Sequence, residues 1–494
     1  MSRKQRLLAG DDAYALWKRG AVEWNRWARQ EGKDWEVLFE GNIPKKEEEG
    51  SANFENFVFT GKVNFANATL LNARFKNATF QGEARFNGVQ FKSETDFANA
   101  QFIQPVSFQH SRFEGKVYFP QTKFKKVCTF AQAQFKEDAN FKQTIFSGEA
   151  TFHKSKFCHY ASFIEVLFWR EVNFQDAEFF KNCRFESTTF HKSANFPGTV
   201  FRAGSQLVDC DFEGITSLGH AQFHADTSFE LSTFEMLASF YAARFERQAT
   251  FRHSKFNGSL DISRAKFLCI PDFRQTALGH HVTLRGATIE RPIEFADEDA
   301  DRLRRLKEMA TQSKDHELEQ EFFAQEMKAA RSTEIPEHLH TQPLMKLRTA
   351  IRPIFNSKQF GKVRLHLIGE LQRRRLVRLL RLMPNYVYEV FSNFGRSISR
   401  PLIGLLATLL AFSGVFQLLA IKEGASWSSA FVYSASLLLP FFGFARNEGR
   451  LAREALFGED YHSAVLSLTG FTEGTLGLVF VFLIGLALRN RFRI

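Results

Sequence analysis

The chain has 494 residues, too many for one compact core, so two or more domains are expected. Hydrophobic residues at 44%, charged residues at 24% and only 12 prolines exclude a disordered or collagen-like chain, yet 58 Phe against 8 Tyr and 6 Trp is abnormal for a core that usually draws its bulk from Leu, Ile and Val. The net charge of +11 is local: residues 346–400 hold 13 Lys+Arg against 2 Asp+Glu, which marks one surface for an anionic partner, a membrane face or nucleic acid.

Met1 to Gly32 is polar and charged without an apolar core segment, so no secretory signal is read there and the bulk of the chain is expected in the cytoplasm. Within it Ala13, Leu16, Trp17, Gly20, Ala21, Trp24, Trp27 and Ala28 share one face at helical spacing. Trp17, Trp24 and Trp27 are read as a cap on the domain that starts near residue 52 rather than as a ligand site. Residues 41–50, Gly-Asn-Ile-Pro and then Lys-Lys-Glu-Glu-Glu-Gly, read as a solvated linker.

From Phe80 a large apolar residue recurs at alternating steps of six and five: Phe86, Phe91, Phe97, Phe102, Phe108, Phe113 and onward to Phe295. Leu207, Leu218, Ile262, Leu284 and Ile289 keep the register, and Phe54, Phe59, Phe65, Leu70 and Phe75 form a less regular start. Two positions before each sits a small residue, as in Ala78, Ala84, Ala133 and Ala249, and Cys128, Cys183 and Cys210 share that slot. With Cys158 and Cys269 they make five isolated cysteines and no Cys-x-x-Cys pair, so reduced thiols and no structural metal are expected.

A step of five turns an α-helix by about 500°, which scatters the Phe residues around it. A straight strand fails because an odd step reverses the face. A closed coil of four short sides, each pointing its Phe and small residue inward, satisfies both steps. Coils stacked at about 4.8 Å give about 11 turns and a rod roughly 50 Å long. One coil alone would not fold, since about 22 residues cost about 1 to 2 kcal/mol each in backbone entropy, so stacking and end covers are required.

Ala-Asn-Phe-Glu-Asn at 52–56, Ala-Arg-Phe-Lys-Asn at 73–77, Ala-Asn-Phe-Lys-Gln at 139–143 and Ala-Ser-Phe at 161–163 resemble the pentapeptide-repeat proteins. The resemblance implies a mainly β fold, a right-handed quadrilateral β-helix over residues 52–296. It also implies rod, cap or interaction-surface roles rather than chemistry.

Asp297 to Arg331 lacks Gly and Pro and reads as two helices split near Ser313. Residues 297–400 are taken as a helical, basic juxtamembrane region. In it Arg373, Arg374, Arg375, Arg378 and Arg381 alternate with leucines, as in a helix suited to anionic lipid. Pro401 to Ile421 is charge-free and of spanning length, and a second span is read over 471–488 with Glu473 at an interface, followed by Arg489, Arg491 and Arg493. Between them Trp427 to Ala445 is broken by Ser434, Ser436 and Pro440. As a full span it would leave the Arg-rich C-terminal end outside; as a re-entrant segment it keeps both basic flanks in the cytoplasm, which is the favoured topology for an integral protein of the inner or plasma membrane.

The pattern Ser436-Leu-Leu-Leu-Pro440-Phe-Phe, Leu456-Phe-Gly458 and Leu486-Ala-Leu-Arg-Asn-Arg491 resembles the two-span, ion-channel-like ending of membrane pentapeptide-repeat proteins. That resemblance implies a pore with Ser434, Ser436, Pro440, Phe441 and Phe442 as its candidates, in a homo-oligomer such as a tetramer, and an unidentified protein partner on the β-helix. A non-conducting, membrane-tethered scaffold is the alternative. A DNA mimic that occupies topoisomerases needs dense negative charge, whereas 53–295 carries 28 Lys+Arg against 24 Asp+Glu, and no recognition motif favours nucleic acid. No nucleophile elbow, phosphate loop, His-Glu-x-x-His or paired Cys/His set occurs, so no enzyme and no cofactor is expected, and His280-His281 reads as surface imidazoles.

Overall fold

The computed structural model describes residues 6–44, 50–290, 292, 294–334, 383–422, 424–439, 444–459 and 463–491. It comprises two compact units, Met1–Asp315 and His316–Ile494.

The first unit is a parallel β-solenoid of about 11 turns with four sheets of 13, 8, 11 and 12 strands. Most strands are two residues long, and from Thr79 onward each residue pairs with the one 22 further on, as Phe91 with Phe113 and Phe113 with Phe135. Twenty-two is two steps of five and two of six, and the two steps turn different corners. In a five-residue step such as Phe97 to Phe102, the Ala100 N–H closes onto the Phe97 carbonyl at 2.9 Å, and Asn99 between them has φ +56°. Positive φ recurs every eleven residues at His110, Gln121, Gln132 and Gln143, so the strain of the left-handed region is repeated along two edges of the rod. The six-residue step spends its extra residue on an open bend, where adjacent coils approach closely. A Cβ on Gly148 would lie 2.2 Å from the Lys126 carbonyl carbon.

Inside, the Phe residues form four columns. Phe91, Phe113, Phe135 and Phe157 stack at 4.5, 4.9 and 4.6 Å between centroids with planes within 4°. Rings from facing sides meet edge-on, as Phe108 and Phe119 at 81°. Both geometries suit the ring quadrupole and add about 0.5 to 1.5 kcal/mol per pair to the burial of each ring. Several interior hydroxyls are satisfied by the coil beneath: Thr122 Oγ1 donates to the Phe97 carbonyl and Thr144 Oγ1 to the Phe119 carbonyl, each at 2.7 Å.

The N-terminal end differs from the sequence reading of a helix plus a linker. Arg6–Ala9 pairs in parallel with Trp35–Leu38, which pairs with Lys62–Asn64, and Asn42–Ile43 pairs with Thr69–Leu70. The solenoid sheets therefore begin before residue 52, and 42–43 lie in a sheet because Ile43 is buried against the next coil. Two helices, α1 (Gly10–Lys18) and α2 (Gly20–Gln30), lie between the first two strands, with the break at Gly20, φ +83°. At the other end α3 (Asp299–Gln312) buries Leu303, Leu306, Met309 and Ala310, and Arg305 donates to the Thr276 carbonyl at 2.6 Å. Residues 297–315 thus pack with the solenoid rather than with the juxtamembrane region to which the sequence assigned them.

The second unit is helical: α4 (His316–Glu334), α5 (residues 383–392), α6 (Ser399–Leu419), α7 (Trp427–Leu438), α8 (Phe444–Phe457) and α9 (Ala464–Arg491). The last helix has 28 residues, about 42 Å at 1.5 Å per residue, and begins seven residues before the expected span.

Candidate functional site

On the solenoid, Trp24 is fully buried against Phe39, Phe57 and Phe59 and donates Nε1 to the Val58 carbonyl at 3.1 Å. Trp17 is buried beside Phe54 and donates to the Asn53 carbonyl at 2.7 Å, while Trp27 is half-buried between Trp24 and Trp35. Phe80, Phe86, Phe91, Phe97, Phe102, Phe108 and Phe113 are all fully buried. Cys128, Cys183 and Cys210 are buried too, and burial pushes each thiol well above its usual range, so none is a ready nucleophile. Among the described residues no group of three His, Cys, Asp or Glu is arranged to hold a metal ion.

The exterior carries exposed apolar side chains at one corner. Val127, Trp169, Ile215, Met236 and Leu237 all lie where the chain passes from the 11-stranded to the 13-stranded sheet. At the rod's C-terminal end Asp272 is held by Arg274 at 2.7 Å and Arg302 at 3.5 Å. Burial alone would raise the Asp272 carboxyl, but the hydrogen bonds and charge of Arg274, with the charge of Arg302, outweigh it and hold the group below its ordinary range.

The second unit concentrates the remaining polar chemistry. α6 and α9 are long and apolar enough to cross a membrane, and only 11% and 28% of their apolar windows are buried, unlike the core helix of a soluble protein. They run antiparallel: a Cβ on Gly404 would touch Phe480, and Asn490 reaches the Gly395 carbonyl at 3.5 Å. Gln320 of α4 donates to the Asn490 carbonyl at 2.9 Å, and Arg331 of α4 pairs with Glu389 of α5, so the start of α6 and the end of α9 share one end of the unit. Arg489 and Arg491 are exposed there.

α7 has 12 residues, about 18 Å, too short to span a 30 Å hydrocarbon core. Ser426 caps its start, accepting the Ser429 N–H. The helix runs back along α6 from Phe416, which packs on Tyr433, to Leu409, whose carbonyl lies 3.1 Å from Ser434 Oγ. α8 then returns, and its Leu456 carbonyl accepts the N–H groups of Ile421 and Lys422 at 3.1 and 3.3 Å. The segment enters and leaves at the same end of α6. Its apolar seam is Phe416, Ala430, Tyr433, Ala452, Leu456, Phe457 and Leu466. The α7 and α8 backbones approach closely where Gly449 faces Ser436, and α8 exposes Asn447, Glu448 and Arg450 at that level.

Glu473, expected at an interface, is fully buried within α9 and level with Leu409, the middle of α6, with Oε1 within hydrogen-bond reach of Ser434 Oγ and Oε2 without a partner among the described residues. Gly470, Gly474 and Gly477 flank it on the same face; a Cβ on Gly477 would lie 2.5 Å from the Leu438 carbonyl oxygen, so these glycines let the end of α7 reach α9. Ser434 is thus brought to Glu473, while Ser436 bonds the Tyr433 carbonyl at 2.7 Å. Pro440, Phe441, Phe442, Arg373, Arg374, Arg375, Arg378, Arg381 and Arg493 lie outside the described residues. Sequence reasoning missed the buried role of Glu473; the signal available was one acid among glycines spaced three and four apart in an apolar run.

A parallel, four-sheeted solenoid with a Phe-filled interior defines the class. A family model described as pentapeptide repeats matches in nine copies, over residues 54–101, 76–120, 108–156, 119–167 and 207–255 among them, and the solenoid is a pentapeptide-repeat domain. No curated protein matches it.

Proposed function

We propose that this chain is a membrane-anchored pentapeptide-repeat protein whose α6–α9 module forms an ion-channel-like pore by self-association, with the solenoid as its cytosolic sensing or scaffolding domain. The observation that carries this reading is α8. Its Glu448 and Arg450 are exposed where Gly449 meets Ser436, well inside the length of α6, while α6 and α9 present bare apolar surface. Lipid solvates the second kind of surface and not the first, so the α8 charges require water or another copy of the chain beside them. A re-entrant α7–α8 hairpin in an oligomer supplies both. With the hairpin re-entrant, the solenoid and the C-terminus lie on one side, and Arg489 and Arg491 meet anionic lipid on the cytosolic face.

Planar-bilayer recordings of the full-length protein test this. Unitary currents whose rectification changes in Arg450→Glu are expected; a folded, electrically silent oligomer would leave the tethered scaffold. That second reading is favoured by the apolar corner of Val127, Trp169, Ile215 and Leu237, which suits a protein partner.

A further inference from the structure

We propose that Glu473 is a proton-binding site inside the membrane module, a neutral carboxyl whose Oε1 meets Ser434 Oγ. Ser434 Oγ is the hydrogen-bond partner of Glu473 among the described residues, and its single hydrogen is all that it can offer an ionised carboxylate. The Leu409 carbonyl, 3.1 Å from the same Oγ, already accepts Ser413 Oγ at 2.6 Å and brings no further donor to the acid.

The surroundings agree. Glu473 has no exposed surface, and its Oε2 meets no donor among the described residues, so an ionised carboxylate would keep its charge against a single hydroxyl. The titratable or charged side chains on the neighbouring helices are Tyr433 on α7 and Arg446, Glu448, Arg450, Arg453 and Glu454 on α8, the Arg446 side chain lying outside the described residues; α6 has none between Arg400 and Lys422. Arg450 pairs with Glu454 at 3.7 Å. The site takes a proton when α7 is seated on α9, and loss of that proton opposes the seating. An ionisable group held at this depth is a place where proton uptake can be tied to the position of the hairpin.

The inference rests on the membrane reading, which flotation of the full-length protein with lipid vesicles checks by itself. Infrared spectra of the same vesicles at pH 7 check the proton. The expected result is a protonated-carboxyl C=O band in the wild type, absent in Glu473→Gln and shifted in Ser434→Ala. Should the wild-type minus Glu473→Gln difference contain carboxylate bands instead, or Ser434→Ala leave the acid band unmoved, the assignment is overturned. Vesicles that float but give either of those spectra overturn the proton site while leaving the anchor intact.

Discussion

The solenoid and the helical unit solve burial in opposite ways. In the solenoid nearly every side of a coil turns a large apolar residue inward, most often a Phe ring stacked on the next coil, and interior hydroxyls such as Thr122 are paired with backbone carbonyls. In the helical unit many large apolar residues of α6 and α9 point outward: Leu406, Leu418, Phe471 and Phe482 are exposed, while a serine and a glutamate are buried between the helices. Water drives the first arrangement through burial of apolar area. On the proposed membrane reading the second faces lipid, which is as apolar as leucine, so close backbone approach at glycines and hydrogen bonds would hold the helices together.

Equal truncations in the two regions should therefore cost very different amounts. Phe130→Ala removes a ring stacked on Phe108 at 4.8 Å and on Phe152 at 5.0 Å, and should destabilise the solenoid by about 3 to 5 kcal/mol. Phe482→Ala, on the outer face of α9, should change stability little. Thermal melts of full-length variants in detergent measure both, and a large loss in Phe482→Ala would mean that its face is covered by protein.

Glycine gives the next contrast. Gly148→Ala drives a methyl into the Lys126 backbone, where no flexible side chain can yield, and should cost about 1 to 3 kcal/mol. Gly485→Ala on α9 meets nothing within 4 Å and should be neutral or stabilising by up to about 1 kcal/mol through helix propensity. Denaturant midpoints with an unchanged slope would report each shift.

How much of this could be read from the residues depended on how repetitive the cause is. Forty-odd sides each selecting a large ring make the coil readable, and the alternation of five and six anticipates two kinds of corner, although only the backbone shows that one of them carries positive φ. The ends were read less well because a single residue decides them: Ile43 turns a supposed linker into a strand, and the apolar face of α3 gives no sign in the sequence of which surface it covers. The burial of Glu473 was missed for a similar reason. The apolar run 475–488 looked like the core of the span, whereas the helix starts at Ala464 and carries Glu473 within it against α7.

The C-terminal cap of the rod should respond to acid. The Asp272 carboxyl lies below its ordinary range, so the native state binds its proton less readily than the unfolded chain does. Its contribution is complete above about pH 4, the usual aspartate value, and is lost as pH falls further toward the depressed native value. Hydrogen exchange of the α3 amides should accelerate below about pH 4 in the wild type, whereas in Asp272→Asn it should be faster at neutral pH already and lose that acid step. Unchanged exchange in the variant would mean that Arg305 and the apolar face of α3 hold the cap without the ion pairs.

The smallest effect has the opposite sign. Leu231 occupies a left-handed corner at φ +61° and is 57% exposed, so its side chain gives little burial in return for a conformation that L residues disfavour by about 1 to 2 kcal/mol. Asparagine tolerates that region better and sits at the equivalent corner as Asn99. Leu231→Asn should therefore stabilise the solenoid by up to about 1 kcal/mol, read as a rise in melting temperature of the full-length protein. Destabilisation would mean instead that this leucine is part of a covered surface, and that the exposed apolar corner and this edge of the rod serve a bound partner. The same substitution has no counterpart in the module, where Asn393 and Phe394 share the left-handed region in one connection ahead of α6 and Phe394 is buried, so strain there is tied to packing rather than repeated coil by coil.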